Sequence, residues 1–376
     1  MQIRAAILER AGQPLPYATS RPLRIATLEL DAPGPGEVLV RIRAAGLCHS
    51  DLSVIDGNRP RPLPMVLGHE AAGTVEAVGA GVTDLKVGAH VVAAFVPSCG
   101  HCRPCRAARP ALCEPGFAAN SAGTLLAGTR RLAEQGTALN HHLGVSAFAT
   151  HAIVARESLV AIDAAVPFSL AALFGCAVIT GVGAVANTAA VPAGASVAIV
   201  GLGGVGLAAL LGARALGAAS ILALDLDPAK RALALELGAT QAIDGGRTDA
   251  ASEARRLLPG GVDFAFEMAG SARALELAWS ITHRGGTTVS AGLAPPAARF
   301  QLPQTALVAE ERTLKGSYLG SCVPARDIPR YLEWYRAGRL PVDRLLDGEL
   351  PLEELNSGFD RLATGGALRQ IVVPAP

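Results

Sequence analysis

Aromatic residues make up only 4% of this 376-residue chain, and neither sign of charge dominates: 33 Lys and Arg against 32 Asp and Glu leave a formal net charge of +1. A nucleic-acid surface calls for a basic stripe, and three arginines near a cysteine cluster (Arg103, Arg106, Arg109) are too few to make one. Nucleic-acid binding is therefore not expected. No cleavable leader is expected either, because the opening residues 1–9 hold too short an apolar run and read instead as a first strand. Cysteines are few and odd in number, seven in all, which suits a reduced, cytoplasmic protein better than a disulfide-stapled one.

Charge is absent altogether from Ala164 to Ala213, a stretch long enough to raise the question of two membrane spans. Pro167, Pro192 and Gly194 break it, and its second half changes character from a short β-branched run to a glycine turn and then a helix. The pattern predicts a buried strand at 197–200, a turn at 201–206 and a helix at 207–216, preceded by a pair of buried helices over 169–190. No membrane association is expected.

A single core rarely grows beyond about 250–300 residues, so two domains are expected of this length. Residues 1–178 are rich in turns and short strands, with prolines at 14, 16, 22, 33, 35, 60, 62 and 64 between runs such as 38–43 and 73–78. From about residue 195 strands and helices alternate: strands at 197–200, 220–224, 262–267 and 287–290, helices at 207–216 and 230–237. That rhythm predicts parallel βαβ units beside a compact β-rich domain, an α/β plus β-rich chain.

Cys99, Cys102, Cys105 and Cys113 form a Cys-x2-Cys-x2-Cys-x7-Cys run, a spacing that lets four thiolates surround one ion. Structural zinc suits it, and an iron-sulfur centre is the alternative that uniformly soft ligation leaves. Gly201-Leu-Gly203-Gly204-Val205-Gly206 follows the predicted strand and opens a helix, the context in which such glycines admit a pyrophosphate at a helix N-terminus. Asp225 ends the next strand, where a carboxylate accepts from both ribose hydroxyls and repels a 2′-phosphate; NAD is therefore expected over NADP. Lys230 is placed to reach the same ribose or simply to stand on a helix surface. Cys48, His69 and Cys176, far apart in sequence, are a second metal-capable set, since two cysteines and a histidine can leave a fourth position open for water or substrate. Isolated buried thiols and a structural histidine are the alternative.

Taken together, Gly46-Leu-Cys48-His-Ser-Asp51, Leu67-Gly-His-Glu70, the four-cysteine lobe, Gly175-Cys176, Gly201–Gly206 and Ala367-Leu-Arg369 make the chain resemble the zinc-dependent alcohol dehydrogenases of the medium-chain dehydrogenase/reductase superfamily over almost all of its length. The resemblance implies a GroES-like catalytic domain with an inserted Rossmann NAD-binding domain: 1–178 as the first catalytic segment, 179–322 as the cofactor domain and 323–376 as the returning segment. It implies two zinc ions per chain, one catalytic on Cys48, His69 and Cys176 and one structural on the four-cysteine run. Asp225 and Lys230 become ribose contacts, Arg369 a pyrophosphate contact and Thr180 a neighbour of the nicotinamide, while Phe95 lines the substrate pocket. Ser50 takes the position whose hydroxyl begins proton transfer, and Ser53 stands where the family commonly has a relay histidine. His49 then contacts phosphate, helps the proton leave, or does neither. Glu70 tunes the zinc or pairs with Arg369; Asp51 accepts from a ligand or caps local backbone. His141 and His142 are expected to be structural or on the surface.

The reaction this implies is reversible oxidation of an alcohol to an aldehyde, with primary, medium-chain or benzylic alcohols as substrates, secondary alcohols also possible, and a homodimer or homotetramer as the assembly. Glutathione-dependent formaldehyde oxidation and a noncatalytic zinc- and nucleotide-binding regulator stay open as alternatives.

Overall fold

A computed structural model of the chain describes residues 1–374. The fold divides into two compact units. The first comprises 1–176, 323–329 and 343–376; the second comprises 177–322 and 330–342.

The first unit is built from β-sheets. A closed barrel of five strands starts with Gln2–Leu8, which pairs with Leu23–Leu30 on one side and with the short strand Met65–Val66 on the other. Side chains Ile3, Ala5, Ile7, Leu28, Leu30, Val66, Leu132 and Leu139 fill it, all buried. Closure leaves no free edge on a small barrel, so short, proline-bounded strands suffice. A second sheet centres on Glu37–Gly46, which runs antiparallel to Glu70–Val78 and to the C-terminal strand Arg369–Val372. These two partners, almost 300 residues apart in sequence, are held at the same end of one strand: Gly46 lies opposite both Glu70 and Ile371.

The second unit holds six parallel strands, of which four answer to strands that the sequence predicts, while the two edge strands, Gln241–Asp244 and Thr313–Gly316, were not expected. Their order, from one edge, is Gln241–Asp244, Ser220–Asp225, Ser196–Val200, Val262–Glu267, Thr282–Ser290 and Thr313–Gly316. The first strand in sequence, Ser196–Val200, sits in the middle, so the chain leaves it first toward one edge and then crosses back toward the other. Such a reversal opens a crevice at the carboxyl ends of the central strands. The helix after Ser196–Val200 begins at Gly204 rather than at Leu207, so the glycine turn is shorter than expected and Gly204 to Gly206 lie in the helix's first turn. Close packing there requires glycine: a Cβ on Gly206 would stand 1.8 Å from the carbonyl oxygen of Gly201. The uncharged run resolves into short helices at Phe168–Leu173 and Ala177–Gly183 and a π-helical segment at Ala184–Ala189. No helix among the described residues is long and apolar enough to cross a membrane.

Candidate active site

Cys48 follows the Glu37–Gly46 strand and is the N-cap of the helix His49–Ile55, its backbone still extended. His69 is held in the tight link between Met65–Val66 and Glu70–Val78 by Gly68, whose φ of +91° suits only glycine and where a Cβ would meet the Phe148 amide at 2.5 Å. Cys176 follows the Phe168–Leu173 helix. These elements converge so that donor atoms of Cys48, His69, Glu70 and Cys176 all lie within 4.8 Å of one another, every residue buried.

The chemistry of this group fits a metal. His69 Nε2 and Glu70 Oε2 are buried without hydrogen-bond partners, a costly state for polar atoms unless something else coordinates them. His69 Nδ1 lies 3.0 Å from Asp51 Oδ2, which orients the ring and leaves Nε2 for the centre of the group. The hydrogen bond shared by the two thiols pulls Cys48 well below the usual thiol range and pushes Cys176 well above it. Burial raises Glu70 to about 8 although Arg369 opposes the shift. Two thiols and a carboxylate packed this closely are a concentration of latent negative charge that a divalent cation would relieve.

Arg369 donates from Nη1 to Glu70 Oε1 at 2.8 Å and reaches the Leu47 carbonyl at 3.4 Å, so this arginine is engaged inside the buried group. Asp51 accepts from the Gly68 amide at 2.9 Å and is wholly buried between two histidines. The second of these is His142, structural rather than on the surface: it is buried, its Nε2 3.3 Å from Asp51 Oδ1. Adjacent histidines point to different surroundings, and His141 instead accepts the Arg131 amide at 3.1 Å. Chain spacing gave no signal for His142, because it approaches from the segment after the barrel strand Thr137–His141.

Ser50 and Ser53 lie on the same short helix, where the Ser53 hydroxyl donates to the Ser50 carbonyl at 3.0 Å. His49 is exposed at the helix start. Phe95 is buried with its ring 5.2 Å from that of His69 at 84°, an edge-on contact that puts an apolar wall beside the candidate metal group.

The four-cysteine run also forms one group, and none of the seven cysteines is in a disulfide. Backbone amides of Cys99, Cys102 and Gly116 point at the sulfurs of Cys113, Cys99 and Cys113 at 3.2, 3.3 and 3.3 Å, an arrangement that favours thiolates. Amide contacts from Cys105 lower Cys102 to about 6, whereas burial raises Cys105 to about 12. Cys102 and Cys113 sulfurs stand 3.9 Å apart. A tetrahedron with metal-sulfur bonds of about 2.3 Å has edges of about 3.8 Å, so the spacing already matches zinc.

In the second unit, the crevice at Ser196–Val200 has the features of a nucleotide site. A Cβ on Gly203 would meet nothing within 4 Å, unlike one on Gly201 or Gly206, so the space over Gly203 is an open cradle at the start of a 12-residue helix. Gly204 and Val205 supply the first helical amides there. Asp225 ends the next strand, its Oδ2 accepting from the Leu202 amide at 2.6 Å and its Oδ1 from the Asp227 amide at 2.9 Å. Lys230 is half-buried on the helix Pro228–Glu236, and Thr180 is buried on Ala177–Gly183.

Fold and site together define a metal-dependent dehydrogenase with a nucleotide-binding domain, and comparison with known proteins gives the family. Residues 34–164 match the alcohol dehydrogenase GroES-like domain and 204–337 the zinc-binding dehydrogenase domain. The NDMA-dependent alcohol dehydrogenase of Amycolatopsis methanolica is 38% identical, with 99% of each chain covered. An alcohol dehydrogenase zinc-binding domain protein from Burkholderia ambifaria superposes with a TM-score of 0.94 at 36% identity, and the benzyl alcohol dehydrogenase of Acinetobacter calcoaceticus with 0.93 at 33%, each over the whole of both chains. The chain belongs to the zinc-dependent alcohol dehydrogenases of the medium-chain dehydrogenase/reductase superfamily. It is an enzyme, and its reaction is reversible alcohol and aldehyde oxidoreduction.

Proposed function

We propose that the enzyme oxidises primary alcohols, benzylic or medium-chain, with NAD as hydride acceptor and two zinc ions per chain. The observation that carries the substrate class is the Phe95 ring against His69, an apolar aromatic wall next to the candidate catalytic metal. Similarity to a benzyl alcohol dehydrogenase over the whole chain supports it. In this reading Cys48, His69 and Cys176 hold the catalytic zinc, Glu70 adjusts it from within the buried Arg369 pair, and Cys99, Cys102, Cys105 and Cys113 hold the structural one. When bound, zinc supplies Lewis acidity to the substrate oxygen and NAD supplies the hydride acceptor. The Ser50 hydroxyl relays the alcohol proton, accepting it while giving up its own, and exposed His49 gives the released proton a way to solvent, Ser53 having no imidazole to do so. Gly201, Gly203, Gly204, Val205 and Gly206 cradle the pyrophosphate, with Arg369 as a further contact. Asp225 and Lys230 hold the adenosine ribose, Thr180 packs near the nicotinamide, and 179–322 is the cofactor domain. The same reading takes the protein as a cytoplasmic homodimer or homotetramer.

A substrate panel with product identification tests the proposal: ethanol, hexanol, benzyl alcohol, secondary alcohols, polyols, and formaldehyde with glutathione. Benzyl alcohol or hexanol should have the highest kcat/KM. Preference for polyols or for the glutathione adduct would overturn the substrate class.

A further inference from the structure

Asp225 has a counterpart across the central strand. The two neighbours of Ser196–Val200 both end in a carboxylate, Asp225 on one side and Glu267 on the other. Glu267 is 1% exposed, yet its side chain is not idle. Its Oε1 accepts from the backbone amides of Ala269 at 2.8 Å and Gly270 at 2.5 Å, and its Oε2 accepts from the Ser290 hydroxyl at 2.7 Å. Its own carbonyl accepts from the amides of Ala291 and Gly292 at 2.9 and 3.2 Å, and the Ser290 carbonyl in turn accepts from Ser317. One residue thus ties together the loops that leave Val262–Glu267 and Thr282–Ser290. Packing there is tight: a Cβ on Gly292 would lie 2.2 Å from the Gly270 amide and 2.7 Å from Glu267 Oε1. The glycine turn leans on the same loop, since a Cβ on Gly201 would meet the Ala269 amide at 2.8 Å.

A dinucleotide lies across the point where strand order reverses, one mononucleotide on each side of the central strand. Asp225 and the adenosine ribose belong to one side. The loops that Glu267 holds form the crevice wall on the other, and their backbone groups are the polar surface the second mononucleotide must meet. We propose that Glu267 is the positioning residue for the nicotinamide half of the cofactor. Resting on the reading of NAD as cofactor, the assignment adds a residue that touches neither metal nor the glycine turn's phosphate cradle. Its effect passes through the 268–270 and 290–292 backbone.

Binding to the purified protein tests this, with NADH read by fluorescence and AMP, the adenosine half alone, by calorimetry. Glu267→Ala should weaken NADH by about tenfold or more, the scale of a lost buried hydrogen bond to a charged group, and leave AMP unchanged. Glu267→Gln should recover most of the NADH affinity, because its amide oxygen can still accept from both loop amides. Equal weakening of NADH and AMP would mark Glu267 as merely structural, and unchanged NADH binding would likewise overturn the proposal. Ser290→Ala removes a single bond and serves if Glu267→Ala does not fold: it should weaken NADH slightly and AMP not at all, and any other pattern counts against the role. Failure of the wild type to bind NADH would refute the NAD reading itself.

Discussion

Replacing Asp225 changes three things at once, and the structure allows them to be weighed. The first is the ribose: a hydroxyl bonded to a carboxylate contributes about 1.5–3 kcal/mol, which NAD loses in Asp225→Ala. Second, the carboxylate anchors the glycine turn through the Leu202 amide, and leaving that buried donor unsatisfied costs a further 1–3 kcal/mol, roughly, for either cofactor. Third, the variant removes a negative charge facing the 2′-phosphate of NADP. Two unit charges about 5 Å apart at an effective dielectric near 20 repel by about 3 kcal/mol. Arg231 adds to this last effect: its guanidinium is pinned to the carbonyls of Asp225 and Leu226 at 2.8 and 2.9 Å, a cation close to where the phosphate would sit. The sum predicts that NAD efficiency falls by about two to four orders of magnitude, that NADP efficiency rises modestly, and that the ratio between them swings by about three to four orders of magnitude. Asp225→Asn separates the contributions, since its amide oxygen can still accept from Leu202 while the charge is gone. The assay is kcat/KM for both cofactors with one alcohol at fixed ionic strength. A ratio that does not move, or a parallel fall for both cofactors, would reduce Asp225 to a loop anchor and refute its role in discrimination.

Metal analysis should find two zinc ions per chain; Cys48→Ala should retain one and lose activity, while Cys113→Ser should lose the other and lower Tm, and a fully active preparation with one zinc would contradict the assignment. Ser50→Ala should lower kcat/KM for alcohol oxidation by about a hundredfold and Ser53→Ala by less than about threefold, a ranking that comparable losses would reverse. Burial holds His141 at about 3, and its neutral ring accepts the Arg131 amide. Because the folded value lies below the ordinary 6.5 or so, the unfolded chain binds this proton more readily, so the stabilisation is complete above pH 6.5 and declines as pH falls toward 3. Between pH 6.5 and 5.0 the decline should be about 1.6 kcal/mol, seen as the shrinking difference in urea unfolding between wild type and His141→Gln. A difference independent of pH would show that His141 does not titrate on unfolding.

Short-range patterns were readable in the chain itself because they impose their own geometry. Four cysteines within 15 residues can close on one ion almost regardless of what surrounds them, and a glycine turn between a β-branched run and an apolar helix has few other uses. Parallel strands in the second unit were legible for the same reason, since each βαβ repeat is locally complete. Tertiary structure decided the rest. Cys48, His69 and Cys176 are 21 and 107 residues apart, and only strand pairing and a positive-φ glycine bring their donor atoms within 4.8 Å. His142 against Asp51, Arg369 against Glu70, and Glu267 beneath two loops left no mark in local spacing. A buried polar side chain is satisfied by whichever distant backbone or side chain the fold delivers to it, and that delivery depends on sheet register and chain crossing rather than on neighbouring residues.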